Sequence, residues 1–103
     1  MSEAFKQLMA EHRRLAILRA LADPKSGGSS NDSILQSAVV EVGVPSSRDQ
    51  IRSAVNWLDE QGLLSVRKLD SGTMVAAITQ SGIDVANGLS TVDGVQRPSP
   101  GNR

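Results

Sequence analysis

The chain has 103 residues, 39% of them apolar, and its 11 basic and 11 acidic side chains balance to a net charge of zero. That length suits one domain with one core, built from Leu, Ile, Val and Ala because the chain holds one Phe, one Trp and no Tyr. The lack of cysteine excludes disulfides and thiolate metal sites, and with no apolar run near the roughly 18 residues of a membrane span and no signal-peptide pattern, a cytoplasmic protein is expected.

Residues 2–22 are expected to form a first helix. Ser2 can cap it, Phe5, Leu8, Met9, Leu15, Leu18 and Ala22 make a broad apolar stripe, and Asp23-Pro24 closes it. Lys25 to Ser30 reads as a mobile Gly/Ser loop. Asn31 or Asp32 can cap a second helix, with Ile34, Leu35, Ala38, Val39 and Val42 on one face and a stop at Gly43. The third helix starts at Ser47, because Ser47-Arg48-Asp49-Gln50 fits the capping box. Ile51, Ala54, Val55 and Leu58 then recur at helical spacing, and Gly62 supplies a left-handed cap.

The runs 63–69 and 74–79 are β-prone, and the turn Asp70-Ser71-Gly72-Thr73 between them predicts an antiparallel hairpin. A fourth helix is expected from about Gln80 to Leu89, with Ile83, Val85, Ala86 and Leu89 as its apolar positions. The domain therefore spans 1–90. Residues 91–103 carry Pro and Gly with few apolar side chains and read as a flexible tail.

A short connection between the second and third helices, with a capped third helix before a hairpin, is the helix-turn-helix arrangement. The fragments L-x-x-x-G-L-L at Leu58–Leu64 and I-T-x-x-G-x-x-x-A at Ile78–Ala86 resemble bacterial winged-helix regulators of the multidrug-resistance and metal-sensor superfamilies. The whole chain also resembles small winged-helix proteins of Mu-like phages and prophages. The points of likeness are E-H-R-R-L-A-I-L from Glu11, S-R-D-Q-I-R from Ser47, W-L-x-E-Q-G-L from Trp57 and V-x-G-V-x-R-P-S-P from Val92. The fold implied is α+β, a winged helix-turn-helix with a three-helix core, a β-hairpin wing and a C-terminal helix.

That resemblance makes the third helix a recognition helix whose N-terminal half enters a major groove. Ser46, Ser47, Arg48, Gln50, Arg52, Ser53 and Asn56 have the side chains for it: Arg reads guanine, Gln and Asn read adenine, and Ser contacts phosphate. Arg67, Lys68 and Thr73 of the wing add candidate backbone contacts. Helical and strand periodicity place Arg52 and Lys68 outside the core. Against this stands the bland reading. A polar helix face is ordinarily a solvated face, wing charges can serve only to prevent edge pairing, and Asp49 and Asp70 dilute the positive charge.

Other residues favour structural roles. His12 falls near the apolar stripe, and one histidine without cysteine leaves a transition-metal site short of ligands. Arg13 and Arg14 can touch a DNA backbone or bridge to Glu11 or a partner subunit but read first as solvated charge, and Trp57 reads as packing over the wing base or in a dimer interface. Gly27-Gly28 lacks the Lys-Ser/Thr of a phosphate loop, and no Ser/His/Asp set is visible. Neither an enzyme nor a cofactor or metal is expected. The partners expected are double-stranded DNA and a second copy of the chain, forming a homodimer through helices one and four. The alternative is a winged-helix module that docks a phage or host protein without touching DNA.

Overall fold

The computed structural model describes residues 2–99. The chain order is α1 (Glu3–Ala22), a 3-10 turn at Pro24–Ser26, β1 (Ser29–Asn31), α2 (Asp32–Glu41), α3 (Arg48–Glu60), β2 (Leu64–Lys68), β3 (Met74–Ile78) and α4 (Gln80–Ala86). It is an α+β architecture of four helices and one antiparallel three-stranded sheet, in the order β1-β3-β2.

Caps fix where the helices begin. Ser2, Asn31, Ser47 and Thr79 each accept a bond from a backbone N–H in the first turn of their helix. The capping box is complete at α3, where the Gln50 side chain also accepts from the Ser47 N–H at 2.9 Å. α3 ends at Gly62, whose φ of 76° lets the chain turn directly into β2. The hairpin forms antiparallel across the expected turn, and its register pairs Leu64 with Ile78 through to Lys68 with Met74.

The core lies where the three long helices meet the sheet. Ile17, Leu18 and Leu21 of α1, Leu35 and Val39 of α2, and Ile51, Val55 and Leu58 of α3 are buried against Leu64, Met74 and Ala76. Val85 and Ala86 of α4 close one end.

Four features depart from the expectations. The loop at 25–30 is not free, because residues 29–31 form a third strand on β3, with Ser29 opposite Ala77 and Asn31 opposite Val75. Three polar residues carry no strand pattern; the open edge of β3 supplies their partners. In α2, Ile34 and Val42 are exposed at 58% and 67%. Ile34 sits about 100° off the Leu35–Val39 line, and Val42 is the C-cap beyond the last turn. α4 stops at Ala86, which leaves Leu89 outside the helix and 77% exposed.

The fourth concerns the segment expected as a flexible tail. Through residue 99 it lies against the body: Val95 is buried, Val92 packs on the core, and the Gln96 N–H donates to the Glu11 carbonyl. Two valines spaced three apart meet the apolar gap beside α1, which outweighs the Pro and Gly content. Residues 100–103 of that segment lie outside the described residues.

Candidate functional site

α3 turns Ile51, Ala54, Val55 and Leu58 inward, so Asp49, Ser53, Asn56 and Glu60 form its outward face, all four exposed. That face carries no apolar side chain. At its N-terminal end, Arg48 is exposed but tethered: its Nε donates to Gln36 Oε1 at 2.8 Å and its Nη2 to Ser33 Oγ at 3.3 Å, both on α2. Ser47 and Gln50 are occupied with each other in the capping box. Ser46 is half-buried; its hydroxyl donates to the Val44 carbonyl and accepts from Arg13 Nε at 2.7 Å. Of the N-terminal candidates, Ser46 thus works inside the fold.

Arg52 departs furthest from its expected role. Its Nε lies 2.7 Å from Asp32 Oδ2, and its Nη2 donates to the Gly72 carbonyl in the hairpin turn at 3.3 Å. Asp32 is 2% exposed. Burial pushes its pKa up, but the hydrogen bond and charge of Arg52, the Met74 backbone N–H and the charge of Arg48 outweigh that and hold it below the ordinary value. One side chain therefore ties the starts of α2 and β3, α3 and the hairpin turn together. The expectation that Arg52 stands free of the packing is corrected. Helical spacing puts it on a flank of α3, and only tertiary structure places a buried carboxylate there. Asp32, twenty positions earlier, reads in sequence as an ordinary helix-start acid.

The hairpin keeps its cations outside. Arg67 and Lys68 are exposed on β2, in register with Val75 and Met74. Thr73 is half-buried, and its hydroxyl accepts from Ser71 Oγ at 3.0 Å in the turn. The structure brings Arg52 and the turn together directly, and Arg48 joins them through α2.

On the other flank of α3, a cleft of about 350 Å3 separates it from α1. Its walls include Arg13, Arg14, Gln50, Ser53, Asn56 and Trp57. Arg13 is 8% exposed and donates to Ser46 Oγ and the Pro45 carbonyl. The Arg14 guanidinium sits 4.1 Å from the centroid of the Trp57 ring and donates to the Gly94 carbonyl at 2.8 Å. Neither arginine is the solvated charge expected, and Trp57 faces α1 and residue 94 rather than the wing. His12 is exposed on the outer face of α1. Among the described residues no group of three His, Cys, Asp or Glu side chains is placed to hold a metal ion. No helix there is long and apolar enough to cross a membrane.

Comparison with known proteins finds two relatives of the sequence, one from a phage and one from a bacterium. Over 93 residues, 90% of this chain and 94% of the relative, the sequence is 43% identical to gp26 of Escherichia phage Mu, described as an uncharacterized protein. It is 42% identical over 77 residues to a Haemophilus influenzae protein with the same description, covering 75% of this chain and 74% of that one. No family model and no solved structure matches the chain.

Proposed function

We propose that this chain, which belongs to the family of the phage Mu protein gp26, is a winged helix-turn-helix protein that binds duplex DNA, with α3 as recognition helix and β2–β3 as wing. The observation that carries the reading is the face made by α3 and the hairpin. Its exposed polar groups include Arg48, Ser53 and Asn56 on the helix, with the acids Asp49 and Glu60 beside them, and Arg67 and Lys68 on the strand, which alternation turns to opposite faces of the hairpin; α3 exposes no apolar residue. Hydroxyls, amides and guanidinium on a capped helix suit base edges and phosphates better than they suit a protein groove. The role is binding rather than catalysis, in the cytoplasm of the bacterial host, in transcriptional control or as an accessory to DNA packaging.

A second reading, a protein-docking module, is favoured by one observation. Asp49 and Glu60 stand on the outward face, and the charge of Arg52 is spent on Asp32. The two readings separate in a fluorescence-anisotropy titration against duplexes from the source genome. DNA binding predicts saturable binding at low salt that weakens steeply as salt rises. Lys68→Ala should weaken it about equally on all sequences and lower the salt slope by about one. Absence of binding to any such duplex at low salt removes the DNA reading in favour of the docking module.

A further inference from the structure

The α1–α3 cleft holds two guanidinium groups that make no direct ion pair, although Glu11 on α1 and Glu60 on α3 stand nearby. Among the described residues the ion pairs are Lys6 with Glu3 and Arg52 with Asp32; Arg13 and Arg14 have none. Both spend donors on neutral oxygens, Arg13 on Ser46 and Pro45 and Arg14 on Gly94. Arg14 Nε is buried with no hydrogen-bond partner. Burial lowers the pKa of each, and the neighbouring charge of Arg14 lowers that of Arg13 further, whereas Glu11 raises that of Arg14. Half-buried like charges side by side are unfavourable unless something anionic completes them. The α3 wall adds Ser53 and Asn56, both exposed and uncommitted to the fold, and one carboxylate, Glu60.

We propose that this cleft binds a phosphate oxyanion, with Arg13 and Arg14 supplying the charge and Ser53 and Asn56 the neutral donors. Guanidinium donors suit a tetrahedral oxyanion. Glu60 at the wall moderates the affinity. The anion is a backbone phosphate of bound duplex or a free phosphate, and in the first case the inference rests on the DNA reading above. Trp57, in the cleft wall, and Arg52, beside the hairpin, lie about 140° apart around α3. A duplex that takes α3 into its major groove presents one phosphate backbone to each of those flanks.

Trp57 is the only tryptophan of the chain and lines the cleft, so its fluorescence reports occupancy directly. Titration with inorganic phosphate at constant ionic strength should give a saturable change that chloride does not. Ser53→Ala and Asn56→Ala should each weaken phosphate by about 3–10-fold, the loss of one hydrogen bond, and Glu60→Gln should tighten it. All three positions are exposed, so the fold is retained. A response equal to that of chloride, or one the three variants leave unmoved, overturns the site. The same variants are then titrated with duplex. Affinities that shift in the same order assign the phosphate to DNA. Saturation by phosphate with no duplex binding supports a free anion and removes the DNA reading alone. Duplex binding that is indifferent to all three variants, with Trp57 silent to phosphate, removes the cleft site and also Ser53 and Asn56 as DNA contacts, while duplex binding itself stands.

Discussion

Replacing Arg52 by Ala strands the Asp32 carboxylate, 2% exposed, without its counter-ion. Because the Arg52 side chain is 39% exposed, the cost is expected at about 2 kcal/mol, below the about 3–5 of a fully buried pair. Urea denaturation of Arg52→Ala at neutral pH checks it, and any loss of DNA binding in that variant has to be corrected for folding. The pair also sets a pH dependence. The pKa of Asp32 is depressed in the folded protein, so its contribution is full above the unfolded value of 3.8 and is lost as pH falls through the folded value. The stability gap between wild type and Asp32→Asn should therefore be widest at neutral pH and close in strong acid. A gap that stays constant across that range would show the charge of Asp32 to be unimportant. Gly82 presents a different constraint. A Cβ there would fall onto the Leu63 carbonyl oxygen and within 2.8 Å of Ile78. Backbone cannot move aside as a side chain can, so Gly82→Ala should lower stability by about 1–3 kcal/mol, read as a drop in Tm by circular dichroism.

The fragments Leu58–Leu64 and Ile78–Ala86 meet at one junction between elements. Thr79 Oγ1 donates to the Gly62 carbonyl at 2.8 Å and accepts from the Gly82 N–H at 3.1 Å, while the Thr79 N–H donates to Leu63 O. These residues are thus a structural clasp joining the end of α3 to the start of α4, and they say nothing about a ligand. Helix starts and the hairpin were legible in sequence because capping chemistry and period-2 alternation are local. β1 and the packed segment at 92–97 were not, because their order comes from partners distant in sequence: β3 for one, α1 and Trp57 for the other. Val95→Asp tests the second. Placing a carboxylate at a position 8% exposed should release the segment, shift Trp57 emission to the red and lower stability by about 1–3 kcal/mol. Unchanged Trp57 emission would mean that the segment does not shield the ring.

At the scale of the molecule, apolar residues are left outside on α1, on α2 (Ile34, Val40 and the C-cap Val42), in the hairpin (Leu69) and beyond α4. Phe5 and Leu8 on the first turns of α1 are 44% and 43% exposed, and Leu89 beyond α4 is 77% exposed. A homodimer that joins α1 and the α4 end across a two-fold axis would cover them and present two copies of α3 to successive major grooves. Sedimentation at tens of micromolar should give a dimer that Phe5→Asp converts to monomer, and a wild-type monomer under those conditions overturns the proposal. Sequence by itself determined the α+β class, the starts of the capped helices, the antiparallel hairpin and the inward face of α3, since each follows from spacing, capping or turn chemistry within a few residues. It could not decide which arginines are free. Arg48, Arg52, Arg13 and Arg14 look alike along the chain, and only the packed fold pairs Arg52 with Asp32 and brings Arg13 and Arg14 together in one cleft without a direct ion pair. The charge available to a partner depends on which side chains burial brings within hydrogen-bond reach, and that is a property of the tertiary structure alone.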